Sequence, residues 1–170
     1  MTQTTTPATL HAWAIYLQAS EEARRRGDRR TGTDHLLLAL MQADPTTCSV
    51  LGASLIQARA ALDALDADAL GALGLTAPLD APAHATRAVP AQPRLRDVIR
   101  GDRRQLTPAA KRVLESSVKG NRHKTHVTAS QVLAQILRLQ PPDPATALLD
   151  ALKVDRAEAL RQLVVVAPED

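Results

Sequence analysis

The stretch TGTDHLLLAL, Thr31 to Leu40, decides how this chain is read. A polar knot of Gly32, Thr33, Asp34 and His35 runs directly into five apolar residues, Leu36 to Leu40. Read as a helix start, Thr33 accepts hydrogen bonds from the first free backbone N–H groups, and Asp34 complements the positive end of the helix dipole. Capping of this kind contributes about 1 kcal/mol. His35, beside an apolar run, reads as a buried, hydrogen-bonded core residue. The helix is expected from Thr33 to Met41, stopped by Asp44-Pro45.

Working outward, the composition favours close-packed helices. Apolar residues make up 45% of 170 residues but aromatics only 1%, Trp13 and Tyr16, with no Phe. A core of Leu, Ala, Val and Ile suits helix packing better than a β-sandwich. The net charge of +3 is too small to imply nucleic acid by itself. The single cysteine, Cys48, excludes an internal disulfide and fits a reducing compartment. No apolar run approaches the roughly 20 residues that span a bilayer, and the start MTQTTTPATL lacks the features of a signal peptide. A cytoplasmic protein is expected.

The remaining order of elements occurs twice. In the first half, a helix opens at Thr6-Pro7 or at Thr9 and faces the core with Ala12, Ile15/Tyr16, Ala19 and Ala23. RRRGDRRTG breaks it, and the Thr33 helix follows. A short helix begins near Thr46/Thr47 and holds Cys48, Val50 and Leu51. Ser54 caps a fourth, with Gln57 at the capping-box position, running to about Leu65. In the second half Thr107-Pro108 opens a helix with Ala110, Val113, Leu114 and Ser117 on one face. After the break HKTHV, a helix from Thr128 to Leu139 sets Val132, Leu133, Ile136 and Leu137 where the first half has Leu36, Leu37, Leu40 and Met41. PPDP stops it; Ala145 to Leu152 is short; Asp155 with Glu158 caps the last helix as Ser54 and Gln57 cap theirs. The expectation is therefore an all-α fold, a duplicated four-helix unit packed into one domain. Residues 1–5 form a tail, 6–65 the first repeat, 66–105 a partly helical Pro/Ala-rich linker, 106–165 the second repeat and 166–170 a tail. DADALGALGL either extends or follows the fourth helix, and Trp13 is assigned to core packing.

At these residues the chain resembles the Clp N-terminal domain. EEARRRGDRRTGTDHLLLAL looks like that family's repeat, and LTPAAKRVLE is similar to the opening of its second unit. The two units cover most of the chain. The resemblance implies two pseudo-symmetric four-helix Clp repeats, found ahead of the ATPase rings of Clp unfoldases, where the domain docks adaptors and substrates without being catalytic. Here it would be free-standing, without the ring. Some relatives bind phosphorylated arginine through the opening Thr and the acid of the G-T-E-H block. By correspondence the ligand-binding residues would be Thr9, Thr33 and Asp34 in a first pocket, and Thr107 with Ser130 in a second. Partners would be the Clp machinery, adaptors, substrates or arginine-phosphorylated proteins. A decoy that sequesters such ligands, including cyclic-peptide antibiotics, is an alternative. Three departures bear on this. The family's glutamate is Asp34, the second block reads Thr128-Ala129-Ser130-Gln131 with no acid, and Ala8 and Leu106 replace aromatics. One functional pocket at most is expected.

Other chemistries find little support. His123 and His126 lack further ligands to complete a zinc site, and Cys48 with His35 lacks an orienting third group. GNRHKT, residues 120–125, lacks the second glycine of a phosphate loop and follows a helix, so no ATP hydrolysis is expected. Neither catalytic residues, metal nor cofactor are assigned. Arg24, Arg25, Arg26, Arg29 and Arg30, like RLRDVIRGDRR at 94–104, read as a solvated basic face. That face would suit an acidic protein partner before nucleic acid, for which base-stacking aromatics are missing.

Overall fold

A computed structural model describes residues 9–75, 105–119 and 126–166. The expected Thr6-Pro7 start, the linker from 76 to 104 with its basic cluster, the GNRHKT loop and both outer tails, 1–5 and 167–170, lie outside the described residues.

In chain order the elements are β1 (Thr9–His11), α1 (Ala12–Arg26), α2 (Thr33–Ala43), α3 (Pro45–Leu51) and α4 (Leu55–Ala72). There follow α5 (Pro108–Lys119), β2 (His126–Thr128), α6 (Ala129–Leu137), α7 (Pro144–Ala151) and α8 (Arg156–Val166). Among the described residues four helices fall in each half, so the all-α duplicated fold stands.

The boundaries follow local chemistry. Asp44-Pro45 and Asp143-Pro144 are starts as well as stops. Each aspartate caps the next helix, accepting from the Thr46 and Ala145 amides at 2.9 and 3.0 Å, and each proline occupies the first turn, where no N–H is needed. Ser54 and Gln57 form the expected reciprocal box, and Thr128 forms another with Gln131. α4 runs to Ala72, so part of DADALGALGL continues the fourth helix.

Two sequence expectations need correction. Thr9 does not open a helix: Thr9–His11 is extended and pairs antiparallel with His126–Thr128, Thr9 opposite Thr128 and Leu10 opposite Val127. A three-residue pairing reached across most of the chain overrides the local capping preference of a threonine. Trp13 is not core; it is 51% exposed, stacked at a tilt on Tyr16 with ring centroids 5.0 Å apart. The buried stripe of α1 is Ile15, Ala19 and Ala23, and position 13 lies off it.

At the centre is α2, with every residue from Thr33 to Met41 buried. It packs on α1, α3 and α4 of its own half and on α5, α6 and α7 of the other. A helix enclosed on all sides needs no polar face, which explains the uninterrupted Leu36–Met41 run. α6, the counterpart, buries Val132, Leu133, Ile136 and Leu137. One aliphatic core joins both halves, from Ile15 through Leu148, Leu149 and Leu163. At about 1.5–3 kcal/mol per buried aliphatic side chain, this seam is the main stabilising term.

The halves also exchange extended segments. The residues before α1 pair with those before α6, as β1 and β2. The residues before α5 pair with the loop before α2: Thr31 N–H donates to Gln105 O at 3.1 Å and Thr107 N–H to Thr31 O at 2.9 Å. The first pairing is antiparallel and the second a single parallel bridge, so the symmetry is approximate.

Candidate functional site

The opening knot is built differently from a threonine cap. The residue that caps α2 is Gly32, in extended conformation with φ −94°, and Thr33 is the first helical residue. The Thr33 hydroxyl donates instead to Asp143 Oδ1 at 2.6 Å, the aspartate that caps α7 of the other half. The capping expectation for Thr33 is therefore corrected: a half-buried partner from the second repeat takes the hydroxyl that a local cap would use.

The cap of α2 comes from His35. Its Nδ1 accepts from Gly32 N–H at 3.0 Å, as Gln131 Oε1 accepts from Thr128 N–H at 3.0 Å at the start of α6. The imidazole fills the glutamine's place in a capping box. Its other nitrogen, Nε2, lies 2.9 Å from Asp28 Oδ2. With Nδ1 accepting, the neutral ring carries its proton on Nε2 and donates to Asp28.

Asp34 folds back over Gly32. Its Oδ1 stands 3.2 Å from His35 Nδ1, and a Cβ at position 32 would lie 2.3 Å from that oxygen. Glycine is required here for space, not for an unusual backbone angle. The Asp34 side chain is 11% exposed. Burial works against its charge, but the His35 hydrogen bond and attraction outweigh burial and hold its pKa below the ordinary aspartate value. Burial likewise opposes a charge on His35, while Asp34 and then Asp28 favour it and prevail, raising its pKa from the ordinary histidine value.

Around this pair lies an open cleft of about 620 Å³. Gly32, Asp34 and His35 line it with Arg29 and Arg30 of the loop, Leu62 and Leu65 of α4, Thr107, and Pro144 of α7. Thr107 arrives through the Thr31 bridge and caps α5, accepting from Ala110 N–H at 3.2 Å. The structure thus joins Asp34 with Thr107 of the other repeat, whereas the backbone of Thr9 lies opposite Thr128, two residues before Ser130. Each threonine was expected beside the acid position of its own repeat; the exchange of extended segments crosses them over. Ser130 is half-buried.

The five arginines do not form one solvated face. Arg26 is corrected outright: its side chain is 5% exposed and bonds Asp28 at 3.3 Å, Asp63 at 2.6 Å and also Asp66, tying α1 to α4. Arg24 pairs with Glu21, and Arg25 with the buried Glu22, which also holds Arg59. Arg29 and Arg30 are exposed at the cleft, with no ion-pair partner among the described residues. Sequence reasoning missed Asp28 and Asp143 as members of the site. Asp28 was visible only as a break in an arginine run, and Asp143 only as part of a helix stop.

Cys48 lies in α3 as expected, its thiol donating to Met41 O at 3.4 Å, and burial pushes its pKa up, away from nucleophilic use. Among the described residues no three His, Cys, Asp or Glu side chains gather as a metal site. Among them, too, no single helix is long and apolar enough to cross a membrane.

These features define a class first: an all-α double repeat with an open cleft where the repeats meet. A scan against protein families matches residues 7–152 to the Clp repeat (R) N-terminal domain. The chain belongs to this family, whose members are protein-interaction domains of Clp ATPases and are not themselves catalytic. A search of the curated proteins found no match.

Proposed function

We propose that this chain is a non-catalytic recognition module for a Clp system, and that its cleft takes an arginine side chain, free or phosphorylated, from a substrate or adaptor protein. The observation that carries this reading is a buried carboxylate, Asp34, lining a cleft with the exposed Arg29 and Arg30, while the cleft's other carboxylates, Asp28 and Asp66, are paired with Arg26. A guanidinium pairs with a carboxylate in a planar, two-point manner. A phosphate on that guanidinium would meet the two loop arginines and the amides at the start of α5, where Thr107 sits.

Only one such cleft is proposed. At the equivalent place Ser130 supplies no charge, and Thr128 stands where Gly32 leaves room for the carboxylate to fold back. The internal pairing of Arg24, Arg25 and Arg26 weighs against nucleic acid, since those cations are already compensated.

Calorimetry with matched peptides carrying arginine, phosphoarginine or citrulline tests the proposal. The first two should bind wild type, and Asp34→Ala should lower their affinity at least tenfold, while citrulline should bind neither protein. Equal binding of all three, or an unaffected Asp34→Ala variant, would refute it.

A further inference from the structure

One ring nitrogen at the cleft faces two groups that it cannot serve together. His35 Nδ1 is 3.0 Å from the Gly32 N–H, a donor, and 3.2 Å from Asp34 Oδ1, an acceptor. Unprotonated, Nδ1 caps α2 and leaves the Asp34 charge uncompensated. Protonated, Nδ1 donates to Asp34, neutralises it and releases the Gly32 amide. Nε2 keeps its proton on Asp28 in both states, which anchors the ring while Nδ1 changes role.

We infer that His35 gates the Asp34 cleft: its imidazolium is the resident competitor for the cation the cleft takes, so a guanidinium binds in exchange for one proton. The inference rests on the arginine-binding reading above and adds its regulation. The balance is simple. In the closed state the imidazolium and carboxylate form an internal pair. On binding, the guanidinium pairs with Asp34, the Nδ1 proton passes to solvent, and Nδ1 accepts the Gly32 N–H again.

Besides Asp34 and Asp28, which contact the ring, other charged groups stand around the cleft it lines. Asp28 is on Nε2, with Arg26 of α1 behind it; Arg29 and Arg30 come from the loop and Asp66 from α4. Asp143, at the head of α7, is bound to the neighbouring Thr33 hydroxyl. Among these groups only His35 is an imidazole, the side chain that titrates nearest neutrality. Burial opposes the charge on this ring, but Asp34 and Asp28 outweigh it and favour the imidazolium, the form that competes for the carboxylate.

The second repeat supplies the control. Gln131 makes the same cap without an ionisable group, so His35→Gln preserves the hydrogen bond and removes the gate. The experiment measures binding of an arginine-containing peptide from pH 5.5 to 8.5, together with ring ¹⁵N shifts of His35. In wild type the logarithm of affinity should rise with pH at a slope approaching one below the His35 pKa, and flatten above it. Calorimetry in two buffers of different ionisation enthalpy should show a proton released. His35→Gln should bind with no such slope. Asp34→Asn should lower the His35 pKa, and the Gly32 amide should shift as Nδ1 gains its proton.

Binding that is intact but equally pH-dependent in wild type and His35→Gln overturns the gate and leaves the arginine reading standing. Absence of binding at every pH in both proteins removes the arginine reading. The ring titration then decides the gate alone, and an unmoved pKa in Asp34→Asn overturns it.

Discussion

Thr33, the first residue of α2, donates its hydroxyl at 2.6 Å to Asp143, which caps α7 in the opposite repeat. One carboxylate oxygen therefore closes a helix of its own repeat and holds the first turn of the other. Thr33→Val keeps the shape and removes the donor, and should cost about 1.5–3 kcal/mol, as for other hydrogen bonds to a charged group. Asp143→Ala removes the cap as well and should cost more. Urea unfolding of the singles and the double variant checks this. The double should cost less than the sum, because both singles remove the same bond.

Gly32→Ala should destabilise by about 1–3 kcal/mol through steric crowding, since a Cβ would lie 2.3 Å from Asp34 Oδ1. The backbone at φ −94° suits alanine, so the cost should fall sharply when Asp34 is also changed to Ala. Chemical denaturation of the two singles and the double isolates that coupling.

Stability should depend on pH through the same pair. His35 has a raised pKa in the fold, so its contribution is complete below the usual value of about 6.5 and is lost as pH rises through the folded value. Asp34 has a lowered one, so its contribution is present above about 3.8 and disappears as pH falls through the folded value. Wild type should therefore lose stability relative to His35→Gln between mildly acidic and alkaline pH, and relative to Asp34→Asn in acid. Denaturant midpoints across pH measure both trends.

Leu38→Ala should cost about 2–5 kcal/mol, because α2 is enclosed by helices of both repeats and the cavity has no solvent side on which to collapse. Thermal unfolding should remain a single transition, with both repeats melting together, since they share one core.

The helices are legible in the sequence because their signals are local. Ser54 with Gln57 and Asp155 before Glu158 announce starts, and the Ile15–Ala19–Ala23 stripe announces a buried face. What is not legible depends on the other repeat. Thr33 looks like a cap until Asp143 is brought beside it, and Thr9 looks like a helix start until β2 pairs with it. The composition of the cleft fails to appear for the same reason. Asp34 meets Thr107 only because the segments before the helices cross between repeats, and no spacing within one repeat encodes that exchange. Arg26 reads as surface charge until Asp63 and Asp66 arrive from α4.

The most direct measurement is an amide chemical-shift map of the ¹⁵N-labelled chain titrated with a phosphoarginine peptide. The account predicts saturable shifts at Gly32, Asp34, His35 and Thr107, contributed by both repeats, with Thr128 to Gln131 unmoved and the response abolished in Asp34→Ala. Shifts centred on Thr128 to Gln131, or the same map from Asp34→Ala, would contradict it.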